Sequence, residues 1–352
     1  MRVLYFGTYE RAYPRNAQVI SCLRRAGVEV LEQHVPVWEG REHKFDAGPG
    51  TALRLARAEL ELLLRRPRAE FDVLVVGYPG HLDLPAARRA ARGRPVVLNP
   101  LVSLADTLVS DRARFREGSL AARVLRAIDR AAFRAADLVV ADTEQHAQLF
   151  RALGARRVET CFVGAEERIF RPGWEARAAF SALFFGKLIP LHGLETIVAA
   201  AELAPDVPFR IVGSGQLEHQ VRDVPLNVER IPWVDYEQLP SELHSCGCAL
   251  GIFGTAAKAR RVIPNKVFQA LACGAPVVTA DTPAARELLT DGESALLVRP
   301  GDAEALADAV ERLAEDPALA RSVASGGRAA YERLASEEIL GGRWRGLLES
   351  LR

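Results

Sequence analysis

IPNKVFQALACGAPVVTADTPAARELL, residues 263–289, reads as one strand between two helix starts. Ile263-Pro264-Asn265 opens the first helix, with proline at the first helical position, where a missing N–H costs nothing. That helix runs over Lys266–Leu271 and stops at Ala272-Cys273-Gly274, where glycine supplies the left-handed end. Pro276–Ala280 is a buried parallel strand by its unbroken apolar run. Asp281-Thr282-Pro283 turns the chain, and a second helix is expected from Ala284. Helix N-termini carry free N–H groups and partial positive charge, so two of them near one strand end suit a phosphate. Lys266 stands in the first turn, where a cation opposes the helix dipole and calls for an anionic partner.

Outward from this stretch, lysine usage is the next signal. Among 46 Lys and Arg residues only Lys44, Lys187, Lys258 and Lys266 are lysine. A compact ammonium retained at Lys187 and Lys266 fits a phosphate site, and chance survival of surface lysines is the competing reading. The 352 residues suggest two domains, and 49% hydrophobic content supports sizeable cores. No run reaches the ~18–20 apolar residues of a membrane span. Met1–Phe6 enters a strand directly, without a signal peptide, so a cytoplasmic protein is expected. Cys22, Cys161, Cys246, Cys248 and Cys273 are scattered and read as reduced. Cys246-Gly247-Cys248 beside His244 offers too few ligands for a metal. Residues 1–170 carry 27 basic and 21 acidic side chains and the remainder 19 and 24, so a net +1 conceals a basic first half. That half fits an anionic partner or membrane surface, or merely differs in composition.

Strand and helix alternate along both halves. Arg2–Phe6, Val28–Glu32, Asp72–Gly77, Pro95–Asn99, Asp137–Ala141 and Val158–Val163 read as strands. Helices are expected over Asn16–Ala26, Ala52–Leu64, Leu120–Ala135 (capped by Ser119) and, capped by Thr143, through Ala152. Gly164–Pro172 has no periodicity and reads as a linker. Beyond it, Ala182–Phe185, Phe209–Val212, Cys248–Ile252 and Ala295–Val298 are strands, and Glu229–Ile231 leads to Trp233. Leu194–Leu203, Asp235–His244, Asp302–Ala314 and Pro317–Ala335 are helices, Gly213-Ser214-Gly215 opens another, and Ser336 caps a last one carrying Trp344. Such alternation means parallel sheets. No Gly-x-Gly-x-x-Gly follows the first strand, which disfavours a dinucleotide site there. No basic, aromatic-interleaved strand suggests nucleic acid.

Ligands of open parallel sheets bind beyond the carboxyl ends of the strands. Gly186–Gly193, Gly213–Gly215, Gly254-Thr255 and Pro264–Lys266 all fall there. With Lys187, His192 and Lys266 they describe a diphosphate pocket, and Gly7-Thr8 is the matching loop of the first half.

The segments FFGKLIPLHGLETIVAAA (184–201), FRIVGSGQL (209–217) and IPNKVFQALACGAPVVTADTPAARELLTDGESALLVRPGDAEALADAV (263–310) resemble the C-terminal domain of retaining GT-B glycosyltransferases of family four, glycosyl transferases group 1. The resemblance implies two Rossmann-like domains facing across a cleft: an acceptor domain over 1–165 with the last helix, 336–352, packing back on it, and a nucleotide-sugar domain over 174–335. It implies a UDP- or GDP-sugar donor held by Gly7, Thr8, Gly186, Lys187, His192, Gly213, Gly215, Trp233, Val234, Pro264, Asn265, Lys266, Val267 and Gln269. His192 stands where a basic residue is usual, and is fully charged only at lower pH. Trp233 either stacks on the base or fills core.

The family's pair of glutamates, with seven residues between them, would fall at Arg261 and Gln269. Gln269 still donates to and accepts from ribose hydroxyls, whereas Arg261 cannot accept. Lys266 and the Asn265–Val267 backbone therefore rank above Arg261. Retaining transfer is thought to occur on one face of the sugar, so Lys187 and Lys266 would stabilise the departing diphosphate, with no metal and no cofactor. Asp106, in the Asn99–Thr107 loop, substitutes for the family's histidine as the acceptor-side catalytic group, against a helix-capping role. Arg11, Arg15 and Asn16 are further candidates for the same cleft. His34, His43, His81, His146 and His219 read as structural or solvated. The acceptor expected is a glycan or lipid-linked saccharide, with peripheral membrane contact at the inner face through the basic Ala52–Arg68 helix. The alternatives are a catalytically silent nucleotide-sugar-binding subunit and a nucleotide-sugar epimerase of the same fold.

Overall fold

A computed structural model describes residues 1–39, 49–176 and 179–352, so His43 and Lys44 lie outside the described residues. The chain divides into two compact units, Met1–Val163 with Glu337–Arg352, and Gly164–Ser336.

The first unit contains β1 (Arg2–Gly7), α1 (Pro14–Arg25), β2 (Glu29–His34), α2 (Pro49–Leu64), β3 (Val73–Val76), α3 (Leu84–Ala91), β4 (Val96–Leu98), α4 (Leu120–Ala135), β5 (Leu138–Ala141), α5 (Glu144–Ala152) and β6 (Val158–Thr160). All six strands are parallel, in the order β2-β1-β3-β4-β5-β6. Alternation along the strands sorts side chains to the two faces. Leu4, Phe6, Leu74, Val76, Leu98 and Val139 join a core with α2–α5, while Val3, Tyr5, Val73, Val75, Val97 and Val140 join one beneath α1. Ser119 caps α4 by accepting from the Ala122 amide at 3.2 Å, and Thr143 caps α5 through the His146 amide.

The second unit contains β7 (Ala182–Phe185), α6 (Leu194–Leu203), β8 (Phe209–Val212), β9 (Val228–Ile231), α7 (Leu239–Ser245), β10 (Cys248–Leu250), α8 (Asn265–Cys273), β11 (Val277–Ala280), β12 (Leu296–Val298), α9 (Ala303–Glu315) and α10 (Pro317–Leu334). Its strands are also parallel, in the order β12-β11-β10-β7-β8-β9. The final helix, α11 (Glu337–Glu349), belongs to the first unit. Trp344, Leu340 and Leu348 are buried there beside Val19 and Leu23, and Gly341 lies against the Cys22 carbonyl, where a β-carbon would have no room.

Several local expectations differ from this. Pro264 is the N-cap of α8 rather than its first residue, with extended φ and ψ of −72° and 151°. Gly274 does end the helix in the left-handed region, at φ 77°. After β11 only a single 3-10 turn forms, Ala285–Glu287, instead of a second helix. The backbone leaves it because the Thr290 amide donates to Ser294 Oγ at 2.7 Å and closes a turn, while Leu288 and Leu289 are buried. Gly213-Ser214-Gly215 is likewise followed only by a 3-10 turn, Glu218–Val221. Leu188 donates to the Ser214 carbonyl and Leu217 to the Leu188 carbonyl, so this loop pairs with its neighbour. Asp235–His244 is a 3-10 turn, Tyr236–Gln238, followed by α7. Helix α3 and a π-helical turn over Asp106–Asp111 have no counterpart in the sequence reading. The Gly164–Pro172 stretch is packed rather than loose: Phe170 is fully buried and Gly173 donates to the Cys273 carbonyl. Ser336 stands directly before α11, in the position expected of its cap, and its Oγ also donates to the Glu332 carbonyl at 3.1 Å.

Candidate functional site

The carboxyl ends of β7, β8 and β10 carry three loops that are tied to one another through backbone. Gly186 donates to Val212 and Phe253 donates to the His192 carbonyl. Gly213, at φ 137°, lies against the Gly186 carbonyl, and Gly215 against the Leu188 backbone. Neither position admits a side chain, so the glycines allow the loops to meet.

Lys266 enters this arrangement from the first turn of α8. The residue is only 6% exposed, and its ammonium has no hydrogen-bond partner. The Nζ atom sits 3.6 Å from the centre of the Phe184 ring, a cation–π contact. A β-carbon on Gly186 would lie 3.3 Å from Lys266 Nζ and 3.7 Å from His192 Cε1, so both basic side chains border the same glycine. Burial alone holds the Lys266 pKa well below the usual lysine value. An anion placed against Gly186 would relieve that cost.

The other expected residues fall as follows. His192 is buried and its Nδ1 faces the Lys187 carbonyl at 2.5 Å, so that nitrogen donates and the ring is fixed. Lys187 is exposed in the same loop. Asn265 and Lys266 begin α8, while Val267 is buried and its amide donates to Pro264. Trp233 is 68% exposed just beyond β9, which removes the core-filling alternative, and Val234 beside it is half-buried. Gln269 is buried at the end of a chain the sequence did not reveal. Its Nε2 donates to the Tyr236 hydroxyl at 3.2 Å, which donates to Glu166 Oε1 at 3.3 Å, and Arg168 holds Glu166 at 3.0 Å. A carboxylate only accepts, so the chain fixes the amide orientation and leaves Gln269 its oxygen. Glu166 and Tyr236 went unnoticed because nothing in their spacing links them.

Gly7, Thr8 and Asp106 belong to the first unit. Gly7, at φ 126°, lies against Asp83, and both the Thr8 amide (2.7 Å) and hydroxyl (3.0 Å) donate to the Asp83 carboxylate. In this structure both Thr8 donors are engaged by Asp83. Glu59 from α2 shares a hydrogen bond with Asp83, and its pKa is raised by burial and then by that neighbour. Asp106 is half-buried at the start of the π-helical turn. The carboxylate that caps this loop is Asp129, which accepts from Ser103 Oγ at 2.6 Å, Leu104 N at 2.9 Å and Ala105 N at 3.0 Å.

Arg15 and Asn16 are fully buried. Arg15 donates to Asn99 and to the Cys161 and Phe162 carbonyls, and Asn16 bridges Tyr5 and Tyr78. They pin strand ends together rather than line an open surface. Arg11 pairs with Glu32 at 3.0 Å. Among the histidines, His34 faces the Tyr9 carbonyl, His146 pairs with Asp142, and His219 is exposed. His81 is buried and lines a cavity of about 290 Å³ with Thr8, Trp38 and Asp83. The five cysteines are all free and buried, and burial pushes Cys161 up to about 11 and Cys246 and Cys273 up to about 12. His244 Nε2 faces the Arg171 carbonyl at 2.8 Å, away from any metal-ligand role with Cys246.

Comparison with known proteins bears on the family and the fold. Residues 2–165 match the model described as glycosyl transferase 4-like domain, and residues 194–349 match the one described as glycosyl transferase-like. A relative from Corynebacterium glutamicum, a GDP-mannose-dependent monoacylated alpha-(1-6)-phosphatidylinositol monomannoside mannosyltransferase, is 29% identical over 178 residues. That match takes in 47% of this chain and 45% of the relative, so less than half of the relative's length is spanned. D-inositol 3-phosphate glycosyltransferase 1 from Catenulispora acidiphila is 29% identical over 84% of this chain and 75% of its own. In fold, the chain is similar to sucrose-phosphate synthase from Thermosynechococcus elongatus, with a TM-score of 0.77 at 18% identity over 99% of this chain and 98% of that one. Two family models that between them take in nearly the whole sequence, and the pair of parallel six-stranded sheets, place this chain in the group 1 glycosyltransferases of GT-B fold.

Proposed function

We propose that the protein transfers a sugar, with retention, from a nucleotide-diphosphate sugar to an acceptor hydroxyl. The observation that carries this is the buried Lys266 ammonium, unpartnered beside Gly186 at the carboxyl ends of β7 and β8. An isolated buried charge is costly, and a diphosphate seated there would supply the missing counter-charge. The first-turn amides of α8 and the Lys187 side chain add donors and positive potential. The Gln269 oxygen would accept from a ribose hydroxyl, and the exposed Trp233 would stack on the base. No metal is required by this arrangement.

In the transfer, the bond from the anomeric carbon to the diphosphate oxygen breaks while the acceptor oxygen bonds to the same carbon from the same face. The acceptor's proton passes to the departing diphosphate. Lys266, Lys187 and the helix amides act by stabilising charge that grows on that leaving group. The donor is a UDP- or GDP-sugar; the Corynebacterium relative's name specifies GDP-mannose.

On the acceptor side the reading is a glycan or lipid-linked saccharide. Helix α2 exposes Leu53, Leu60 and Leu64 among Arg54, Arg57, Arg65 and Arg66. Exposed leucines among arginines suit the surface of an anionic bilayer, so the protein would work at the inner face of the membrane. Among the described residues, no helix is long and apolar enough to cross it.

Lys266→Ala tests the donor site. Its affinity for UDP or GDP should fall by about 10²-fold, as for loss of a charge-assisted contact of roughly 3 kcal/mol, while uridine or guanosine affinity stays within about twofold. Equal losses for nucleotide and nucleoside would refute the assignment. A second reading, a silent nucleotide-sugar-binding subunit, is favoured by Arg261 and Gln269 standing where carboxylates are usual. Purified protein that binds the donor yet neither transfers nor hydrolyses its sugar would support that second reading.

A further inference from the structure

A glutamine amide has two chemically opposite ends, and its surroundings decide which one meets a ligand. Gln269 lies three positions after Lys266 on α8, so the two share one face of the helix, with the Lys266 ammonium beside Gly186. Gln269 is buried, and its Nε2 donates to the Tyr236 hydroxyl at 3.2 Å. Tyr236 opens the 3-10 turn that follows the exposed Trp233, and its ring stands edge-on to the buried Phe170 at 5.4 Å between centres.

The polarity of the Gln269 contact is set one residue further away. The Tyr236 hydroxyl has a single proton, and burial raises its pKa, so the proton stays. That proton goes to Glu166 Oε1 at 3.3 Å, because a carboxylate only accepts. The hydroxyl oxygen is then left to accept from Gln269, which commits Nε2 to Tyr236 and leaves Oε1 for the ligand. The other carboxylate oxygen, Glu166 Oε2, accepts from Arg168 Nε at 3.2 Å and Nη2 at 3.0 Å. Glu166 is thus an acceptor between two donors, and every proton in the chain points toward it.

We infer that Glu166 and Tyr236 are positioning residues for the donor's ribose: they aim the Gln269 oxygen, so the ribose hydroxyl that meets it must be the hydrogen-bond donor. This rests on the nucleotide-diphosphate-sugar reading above and deepens it, because it states which chemical group the ribose must carry. Glu166→Gln tests the polarity with little change of shape. Arg168 only donates, so the new amide oxygen stays on Arg168 and the new NH2 faces Tyr236. The Tyr236 hydroxyl then accepts from position 166 and donates to Gln269 Oε1. The Gln269 amide turns over, and its NH2 meets the ribose.

The experiment is calorimetric titration of the full chain with UDP and with its 2′-deoxy-2′-fluoro and 3′-deoxy-3′-fluoro analogues, or with the guanosine set where GDP binds more tightly. Fluorine is close to a hydroxyl in size, accepts weakly and cannot donate. In the wild type at least one of the two fluorines should weaken binding about fivefold, as for one lost hydrogen bond. In Glu166→Gln, where the amide is reversed, and in Tyr236→Phe, where nothing orients it, that loss should shrink to about twofold or less. An undiminished fluorine effect in either variant, including the case in which UDP and its analogues weaken in parallel as a merely structural role would give, would overturn the positioning and leave the donor site standing. A wild type indifferent to both fluorines would overturn it as well and remove Gln269 from the ribose. UDP and GDP that both fail to bind the wild type would refute the donor reading itself, and this inference with it. Should Glu166→Gln not fold, Tyr236→Phe decides alone.

Discussion

Lys266 shows how far a single residue constrains function. Its place in the first turn of α8, against the helix dipole, already marks it in the sequence as needing an anion. Only the structure adds that the ammonium is buried and has Phe184 as its neighbour. Two outcomes follow at this scale. Lys266→Met should raise stability without nucleotide by about 1–3 kcal/mol, the usual cost of an unsatisfied buried polar group. The pH sense is set by the direction of the shift. The folded-state pKa is lowered, so between it and the ordinary lysine value the unfolded chain holds one more proton, and wild-type stability rises with pH. The Met variant lacks that slope, so its advantage should be largest on the acid side of this window and shrink toward alkaline pH. Denaturant melts at several pH values measure it. In the same way, the bound diphosphate requires Lys266 protonated. Donor affinity should therefore fall as pH rises above the free-site pKa, by up to about tenfold per pH unit. Binding that is flat from neutral to alkaline pH would contradict this.

At the scale of the element, the strands and long helices are legible because burial imposes its period on the sequence. Apolar runs such as Val73–Val76 and Leu138–Ala141 are strands covered on both faces. Short elements are a different matter. Helix α3 has only eight residues, LPAARRAA, too few for periodicity to declare itself. The stretch after β11 has helical residues yet forms one 3-10 turn, because Thr290–Ser294 pairing takes over. Gly213-Ser214-Gly215 looked like a helix start and is instead a seam between loops. Gly213→Ala tests that seam. A β-carbon there would overlap the Gly186 carbonyl, in a left-handed backbone that alanine adopts poorly. The variant should lose several kcal/mol (about 2–4) and bind UDP at least ~10-fold more weakly, read by thermal melts and calorimetry. Retained UDP affinity would mean that the seam does not shape the site.

Across the whole molecule, the chain's last residues complete the unit formed by its first. Trp344 is buried in a core with Val3, Tyr5 and Leu23, and the Arg15 guanidinium lies 5.9 Å over its ring. Arg343 donates to the Thr160 carbonyl and Arg157 to Ser350 Oγ, tying α11 to β6 and its approach. Trp344→Ala should cost the first unit about 3–5 kcal/mol, the usual penalty for emptying an aromatic core site. UDP affinity, a property of the second unit on the present reading, should stay unchanged. A melt in which Trp344→Ala shifts nothing would show that α11 is dispensable.

The sequence by itself determined the alternation of strand and helix, the parallel sheets, and the glycines and lysine at the carboxyl ends of the second sheet. These are local consequences of periodicity, backbone freedom and charge, and each is written within a few residues. Tertiary structure alone decided which polar groups are left without partners. Thr8 is consumed by Asp83, Arg15 by strand ends and Gln269 Nε2 by Tyr236, whereas Lys266, Trp38 and His81 keep an unmet atom. Hydrogen-bond satisfaction depends on residues dozens of positions apart being brought within about 3 Å, and no local pattern in a sequence encodes that distance.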